Sequence, residues 1–62
     1  MQSEKLIEEI EVFLTEQGLS ATRFGVLAAG DTKFVRTLRA GRLPRAETAT
    51  RVRQWMRDNQ GD

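Results

Sequence analysis

Apolar residues recur every three or four positions in four separate segments of this chain, and polar residues fill the positions between them. Spacing of this kind is typical of amphipathic α-helices that bury one face. The pattern predicts helices over residues 3–17, 21–28, 32–39 and 46–59. Since no segment alternates apolar and polar residues over the length of a strand, we expect an all-α fold.

Residues that favour helix starts and ends separate the four segments. Ser20 and Asp31 stand where they can cap the second and third helices. Gly18 and Gly41 follow the first and third helices, where a glycine commonly takes the left-handed conformation. The only proline, Pro44, lies between the third and fourth segments and fits a connector. The boundaries therefore agree with the hydrophobic pattern.

The apolar stripes of the four helices predict one shared core. Gly25, on the second helix, is expected to let a neighbouring segment approach closely. Phe34 is expected at the edge of the core because of its spacing from Leu38. The residues predicted to face inward are Leu6, Ile7, Ile10, Phe13, Leu14, Phe24, Leu27, Ala28, Val35, Leu38, Ala49, Val52, Trp55 and Met56.

Length and composition exclude several classes of protein. A chain of 62 residues has room for one small domain. It contains no Cys and no His, so we expect no disulfide, no metal and no cofactor. No apolar run approaches the roughly 20 residues of a membrane span, and the amino terminus is unlike a signal peptide, so we expect a cytoplasmic protein. We expect no enzymatic activity, since the glutamates of the first helix have no nucleophile or metal ligand nearby.

The net charge of +1 conceals two oppositely charged regions. Residues 1–19 hold five Glu and one Lys, a net charge of −4. Residues 20–57 hold eight Arg and one Lys against one Asp and one Glu, a net charge of +7. Arginine offers a planar fork that suits phosphate and guanine edges. The basic region therefore favours nucleic acid as a partner, and we expect the acidic first helix to face away from it.

The third helix carries the candidate base contacts. With Val35 and Leu38 facing the core, the opposite side presents cations and hydroxyls, the groups that hydrogen-bond to bases in the major groove. The candidate base contacts are Thr32, Lys33, Arg36 and Thr37. Phosphates would be met by residues near the helix ends, because backbone contacts hold the register. The candidate phosphate contacts are Ser20, Thr22, Arg23, Arg39, Arg42 and Arg45.

Residues 19–42 resemble the helix-turn-helix of the lambda repressor, Cro and Xre-like family of bacterial and phage regulators. The matching positions are a polar cap at Ser20, apolar residues at Phe24, Val35 and Leu38, a second cap at Asp31, and a terminal glycine and basic residue at Gly41 and Arg42, followed by Pro44. The resemblance implies a lambda repressor-like domain of four helices, or of five where the fifth helix of many members is present. It also implies a DNA-binding transcription regulator, in many cases a repressor.

Three positions depart from the family pattern. Gly25 stands where the family usually has Ala, and Ala29 where it has Gly, so we expect a reshaped turn around Gly30. Ala21 replaces a Gln that often binds a phosphate, and Ala cannot make that contact.

One short helix reads few base pairs, so we expect a homodimer on a pseudo-palindromic site. Trp55 and Met56 are candidate residues of its interface, with ordinary packing as the alternative.

Two other functions compete with DNA binding. The helix-turn-helix scaffold can serve as a protein-interaction adaptor or antitoxin-like module, which would form salt-insensitive complexes without DNA. RNA binding ranks lowest, because the sequence offers neither an aromatic pair on a sheet nor a Gly-rich clamp. Arginines on a helix are also often only a solvated surface. The sequence therefore predicts a repressor of transcription, with an adaptor as the alternative.

Overall fold

The structure, a computed structural model, describes residues 2–60, with side chains from residue 6 onward. The chain folds into four α-helices, and residues 2–60 contain no strand. The helices are α1 (Gln2–Gln17), α2 (Ala21–Phe24), α3 (Phe34–Arg39) and α4 (Ala46–Asp58), with a π-helical turn (Gly25–Ala29) directly after α2. The all-α prediction is confirmed. No helix in this part of the chain is long and apolar enough to cross a bilayer.

The first helix follows its predicted pattern closely. It ends at Gln17 as expected, and Gly18 takes the left-handed conformation with a φ of 64°. The Leu19 N–H then donates to the Leu14 carbonyl over 3.0 Å, which closes the helix end. Leu6 and Ile10 are fully buried. From residue 8 onward the glutamates of α1 lie on or beside its solvent side, where they can reach basic residues of other helices.

The second helix differs from the prediction in its last turn. Ser20 caps α2 as expected, since its hydroxyl oxygen accepts a hydrogen bond from the Arg23 N–H over 3.1 Å. Beyond Phe24 the chain widens into the π turn and ends at Gly30, which is left-handed with a φ of 68°. The inward prediction for Leu27 was wrong: 48% of it is exposed. A π turn contains more residues than an α turn, so the residue four positions after Phe24 faces the core and Leu27 turns outward.

Gly25 explains how the π turn and the start of the third helix fit together. A Cβ on Gly25 would lie 2.3 Å from the backbone oxygen of Asp31 and 3.4 Å from the Phe34 Cβ. The predicted close approach at Gly25 is therefore confirmed, and the neighbouring segment is the turn that leads into α3. Any side chain at this position would displace that turn.

The third helix begins two residues later than predicted, at Phe34 instead of Thr32. The Asp31 carboxylate accepts a hydrogen bond from the Lys33 N–H over 2.9 Å, as an N-terminal cap would. However, Thr32 and Lys33 form a turn rather than helix, because the Phe34 N–H bonds to the Asp31 carbonyl three residues back. Gly41, with a φ of 100°, ends the helix as predicted.

The core lies between α1, the π turn and α4, with α3 packed on α1 and α2. Phe34 belongs to it, with 7% of its surface exposed. Phe13, Phe24 and Trp55 form a cluster of tilted and edge-to-face rings whose centroids are 5.4 to 5.7 Å apart. This cluster joins α1, α2 and α4. The buried residues are Leu6, Ile10, Phe13, Leu14, Phe24, Ala28, Phe34, Val35, Leu38, Ala49, Val52 and Met56.

Candidate nucleic-acid interface

The third helix and the turn before it present cations to solvent. Lys33 in the turn and Arg36 on α3 are exposed, whereas Val35 and Leu38 on the other side of α3 are 1% and 7% exposed. Thr32 is exposed in the turn before the helix. The helix is therefore held by its apolar side, and its cationic side is open to a partner.

Thr37 occupies a more restricted position than the other candidate base contacts. It is half-buried, and its hydroxyl donates a hydrogen bond to the Lys33 carbonyl one turn earlier. The hydroxyl proton is thus engaged, which leaves the oxygen as an acceptor and the methyl group as an apolar contact. Thr37 is suited to accept from a base amino group or to touch a thymine methyl, rather than to donate.

A groove of about 350 Å³ brings the end of α3 together with the following loop and the start of α4. Thr37 shares it with Arg42 and Arg45, so one candidate base contact and two candidate phosphate contacts meet in one place. Sequence reasoning missed Leu43 and Thr48, which also line this groove. The full lining is Asp31, Phe34, Thr37, Leu38, Arg42, Leu43, Pro44, Arg45 and Thr48.

Neither Leu43 nor Thr48 carried a sequence signal that identifies a groove residue. Leu43 is 64% exposed, the most exposed of the large apolar side chains described, and it stands between two cationic residues in the connector. A single exposed apolar residue is common on protein surfaces and does not by itself identify a contact. The place of Thr48 in the groove depends on how α4 packs.

The start of the second helix supplies a separate set of polar groups. Thr22 and Arg23 are exposed. The Ser20 oxygen accepts from the Arg23 N–H, so its hydroxyl proton is still available to a phosphate. None of these three residues lines the groove of Thr37, Arg42 and Arg45. The candidate phosphate contacts therefore lie in at least two places.

Arg39 is already paired within the chain. Its Nε donates to Glu11 Oε2 over 2.7 Å and its Nη2 donates to Glu11 Oε1 over 2.9 Å, a bidentate geometry. The hydrogen bonds from Arg39 lower the pKa of the Glu11 carboxyl, and the same bonds raise the pKa of Arg39. A phosphate would have to displace Glu11 to bind this guanidinium fully.

The expectation that the acidic helix faces away from the partner surface needs a correction at Glu11. This carboxylate lies beside α3 because α1 packs on α3. A second cross-helix pair, between Glu9 and Arg53 over 3.1 Å, joins α1 to α4. Parts of the acidic side of α1 thus neutralise arginines of the basic region.

The two candidate dimer residues lie in or beside the core of the single chain. Met56 is 7% exposed and packs in the core. Trp55 is half-buried and its ring contacts Phe13 and Phe24. Met56 offers almost no surface to a second copy, whereas the outer edge of Trp55 remains accessible.

Comparison of the chain with protein-family models, curated proteins and solved structures finds no match. The family resemblance of residues 19–42 therefore remains an interpretation of the residues themselves. Any functional conclusion has to come from the geometry and charge of the surface around α3.

Proposed function

We propose that this chain is a sequence-specific regulator of transcription, acting as a repressor, that places α3 and the turn before it in the major groove of double-stranded DNA. The observation that carries the proposal is the exposure of Lys33, in the turn before α3, and of Arg36, on the short helix that buried Val35 and Leu38 anchor. The major groove admits one α-helix. A helix fixed on its apolar side and cationic on the other has the shape and charge for that position.

The side chains on this surface match the chemistry of base edges. Arg36 and Lys33 can donate to the O6 and N7 atoms of guanine. Thr32 has its hydroxyl on the exposed turn, and Thr37 offers an acceptor and a methyl group. Together they supply donors, an acceptor and apolar contact, which is enough to prefer one short sequence over another.

Phosphates on either side of the groove would fix the position of α3. Arg42 and Arg45 follow α3, and Arg23 lies on α2, so the cations flank the reading helix in sequence and come from different elements. Contacts of this kind set orientation and give affinity without base preference. Arg39 would contribute only after leaving Glu11.

Binding to DNA should be measured by fluorescence anisotropy with three labelled probes: the duplex that flanks the chain's own gene, a scrambled duplex of equal length, and the single strand. We expect the tightest binding to the flanking duplex and a steep loss of affinity between about 50 and 200 mM salt. The single strand should bind weakest, since it has no major groove.

Arg42→Ala is the matched variant for this titration. It should weaken both duplexes by the same factor and reduce the salt slope by about one unit, because Arg42 would contact a phosphate. Equal affinity of the unaltered chain for all three probes would contradict sequence-specific duplex binding. Salt-insensitive behaviour with no DNA complex would instead favour the protein-interaction adaptor.

A further inference from the structure

One side of α4 carries a stripe of residues, none of which is a candidate DNA contact. Arg51, Gln54, Trp55 and Asp58 follow each other at intervals of three, one and three positions, so they lie on one side of the helix. With Leu27 and Ala28 of the π turn they line a single shallow groove. We call this set the α4 face.

The centre of the α4 face is apolar and accessible. Leu27 is 48% exposed, because the π turn directs it outward, and Trp55 is half-buried. An exposed leucine beside an accessible tryptophan edge is the composition found at the centre of protein interfaces. Polar and charged residues stand on either side of this centre.

The two charged residues of the face are free for an external partner. Arg51 is exposed and makes no ion pair among the side chains of residues 6–60. Asp58 is exposed and accepts a hydrogen bond from the Gln54 side chain over 3.0 Å, but makes no ion pair within the same residues. The face therefore offers one positive and one negative end.

These ends are placed so that the face is complementary to itself. Arg51 and Asp58 are seven residues apart, about 10.5 Å along the helix axis. If a second α4 lies antiparallel with the two-fold axis between Gln54 and Trp55, each Arg51 meets the Asp58 of the other copy. Both ion pairs then form at once, which is the condition for an isologous contact.

We propose that the α4 face binds a second copy of this chain. The choice of a second copy rests on the charge pattern and on the proposed function, since one short helix reads too few base pairs and a two-fold dimer reads two half-sites. None of the residues of the face is a candidate base or phosphate contact. The dimer contact therefore leaves the surface around α3 free for DNA.

The self-association should be weak. A face of about six residues is smaller than the roughly 800 Å² that each partner buries in a stable complex, so we expect dissociation constants on the order of 0.1 to 1 mM without DNA. Binding of two copies to adjacent half-sites would raise their effective concentration and favour the same contact.

Charge exchange at the two ends tests the proposal without DNA. Sedimentation equilibrium at low salt should show dimerisation of the unaltered chain, and each of Arg51→Asp and Asp58→Arg should weaken it about tenfold or more, because like charges then face each other twice. The double variant should regain association. A mixture of the two single variants should also form a heterodimer, since each presents the charge that the other needs.

Two further variants separate this contact from effects on folding. Leu27→Ser should weaken association while leaving the unfolding midpoint nearly unchanged, because Leu27 is largely exposed. Arg57→Asp, an equal charge change at an exposed position outside the stripe, should leave association almost as it was. Circular dichroism spectra of each variant should match that of the unaltered chain, which tests whether the variants are folded.

An unaltered chain that stays monomeric at about 1 mM overturns the proposal. So does a dimer whose affinity the two single exchanges leave unchanged, because the contact would then lie elsewhere. Failure of DNA binding by a chain that dimerises as described would contradict the proposed function and leave the α4 face standing. DNA binding by a strictly monomeric chain would contradict the α4 face contact and leave the proposed function standing.

Discussion

Arg36 and Arg39 lie about one helical turn apart on α3, and both are exposed, but their surroundings differ. Arg39 is held by Glu11 through two hydrogen bonds of 2.7 and 2.9 Å. Arg36 makes no ion pair among the side chains of residues 6–60. One helix thus presents a cation that is ready to bind and another that is already satisfied.

The difference shows that a count of cations overstates the surface available to a polyanion. Glu11 and Glu9 each bind an arginine of the basic region. The expected attraction for DNA is therefore concentrated at Lys33 and Arg36, at Arg23 on α2, and in the groove of Arg42 and Arg45. Position on α3 decides which arginine is paired, because the packing of α1 on α3 brings Glu11 to Arg39.

The largest expected effect comes from Gly25→Ala. The substitution would displace the turn that leads into α3, and with it the helix that carries Arg36 and Arg39. The added Cβ would stand 2.3 Å from the Asp31 backbone oxygen, and a backbone atom cannot move aside cheaply. We expect a loss of about 1–3 kcal/mol in the free energy of unfolding, measured by urea denaturation. The gain of about 0.5–1 kcal/mol in helix propensity should offset only part of it.

Val26→Ala provides the matched control for this substitution. Val26 is the next residue in the π turn and is 47% exposed, so its truncation should change stability little. A Gly25→Ala chain as stable as the Val26→Ala chain would mean that the turn before α3 is free to shift. The packing of α3 would then not fix the different surroundings of Arg36 and Arg39.

Arg36→Ala and Arg39→Ala test the contrast directly. Arg36→Ala should cost about 1–3 kcal/mol in binding to the preferred duplex and relax the preference at one base pair. Arg39→Ala should cost less, and equally on all duplexes, because Glu11 already holds that guanidinium. Competition binding with single-base variants of the site measures both effects. An equal loss on every sequence for Arg36→Ala would rule out base reading by this residue.

The sequence predicted the elements of this fold better than their ends. Periodicity and caps were sufficient for the four helices, and Ser20, Gly18 and Gly41 take the predicted roles. Hydrophobic periodicity did not predict the π turn, in which Gly25 lies against the Asp31 backbone. The outward position of Leu27 follows from that turn.

The sequence was sufficient to predict which side chains of the candidate site are exposed, but not which of them pair with residues of other helices. The alternation of Val35 and Leu38 with Lys33 and Arg36 was sufficient to predict that both cations are exposed, Arg36 on the open side of α3 and Lys33 in the turn before it. The pairing of Arg39 with a glutamate 28 residues earlier depends on the packing of α1 against α3, which no local pattern encodes. Local periodicity specifies which way a side chain points, whereas partners across helices require the tertiary fold.

Glu11→Gln should release Arg39 from its ion pair, so that its surroundings become more like those of Arg36. If Arg39 then reaches a phosphate, affinity for any duplex should rise about two- to fivefold at low salt, and the salt slope should steepen by up to about one unit. Glu16→Gln is the control, because Glu16 is exposed on α1, makes no ion pair among the described side chains, and changes the net charge equally. Identical behaviour of the two variants would remove Arg39 from the phosphate contacts.

The smallest expected effect is the dependence of stability on pH through the Glu11 and Arg39 pair. Arg39 lowers the pKa of Glu11 in the folded chain below its ordinary value of 4.5. The pair therefore contributes its full stabilisation above that value and loses it as the pH falls through the lowered folded pKa. The difference in unfolding free energy between the unaltered chain and Glu11→Gln should be constant near neutral pH and shrink as the pH falls through the lowered pKa of Glu11, as urea titrations can measure. A difference independent of pH would mean that the carboxylate charge contributes nothing to holding Arg39, and Arg39 would then be as available to DNA as Arg36.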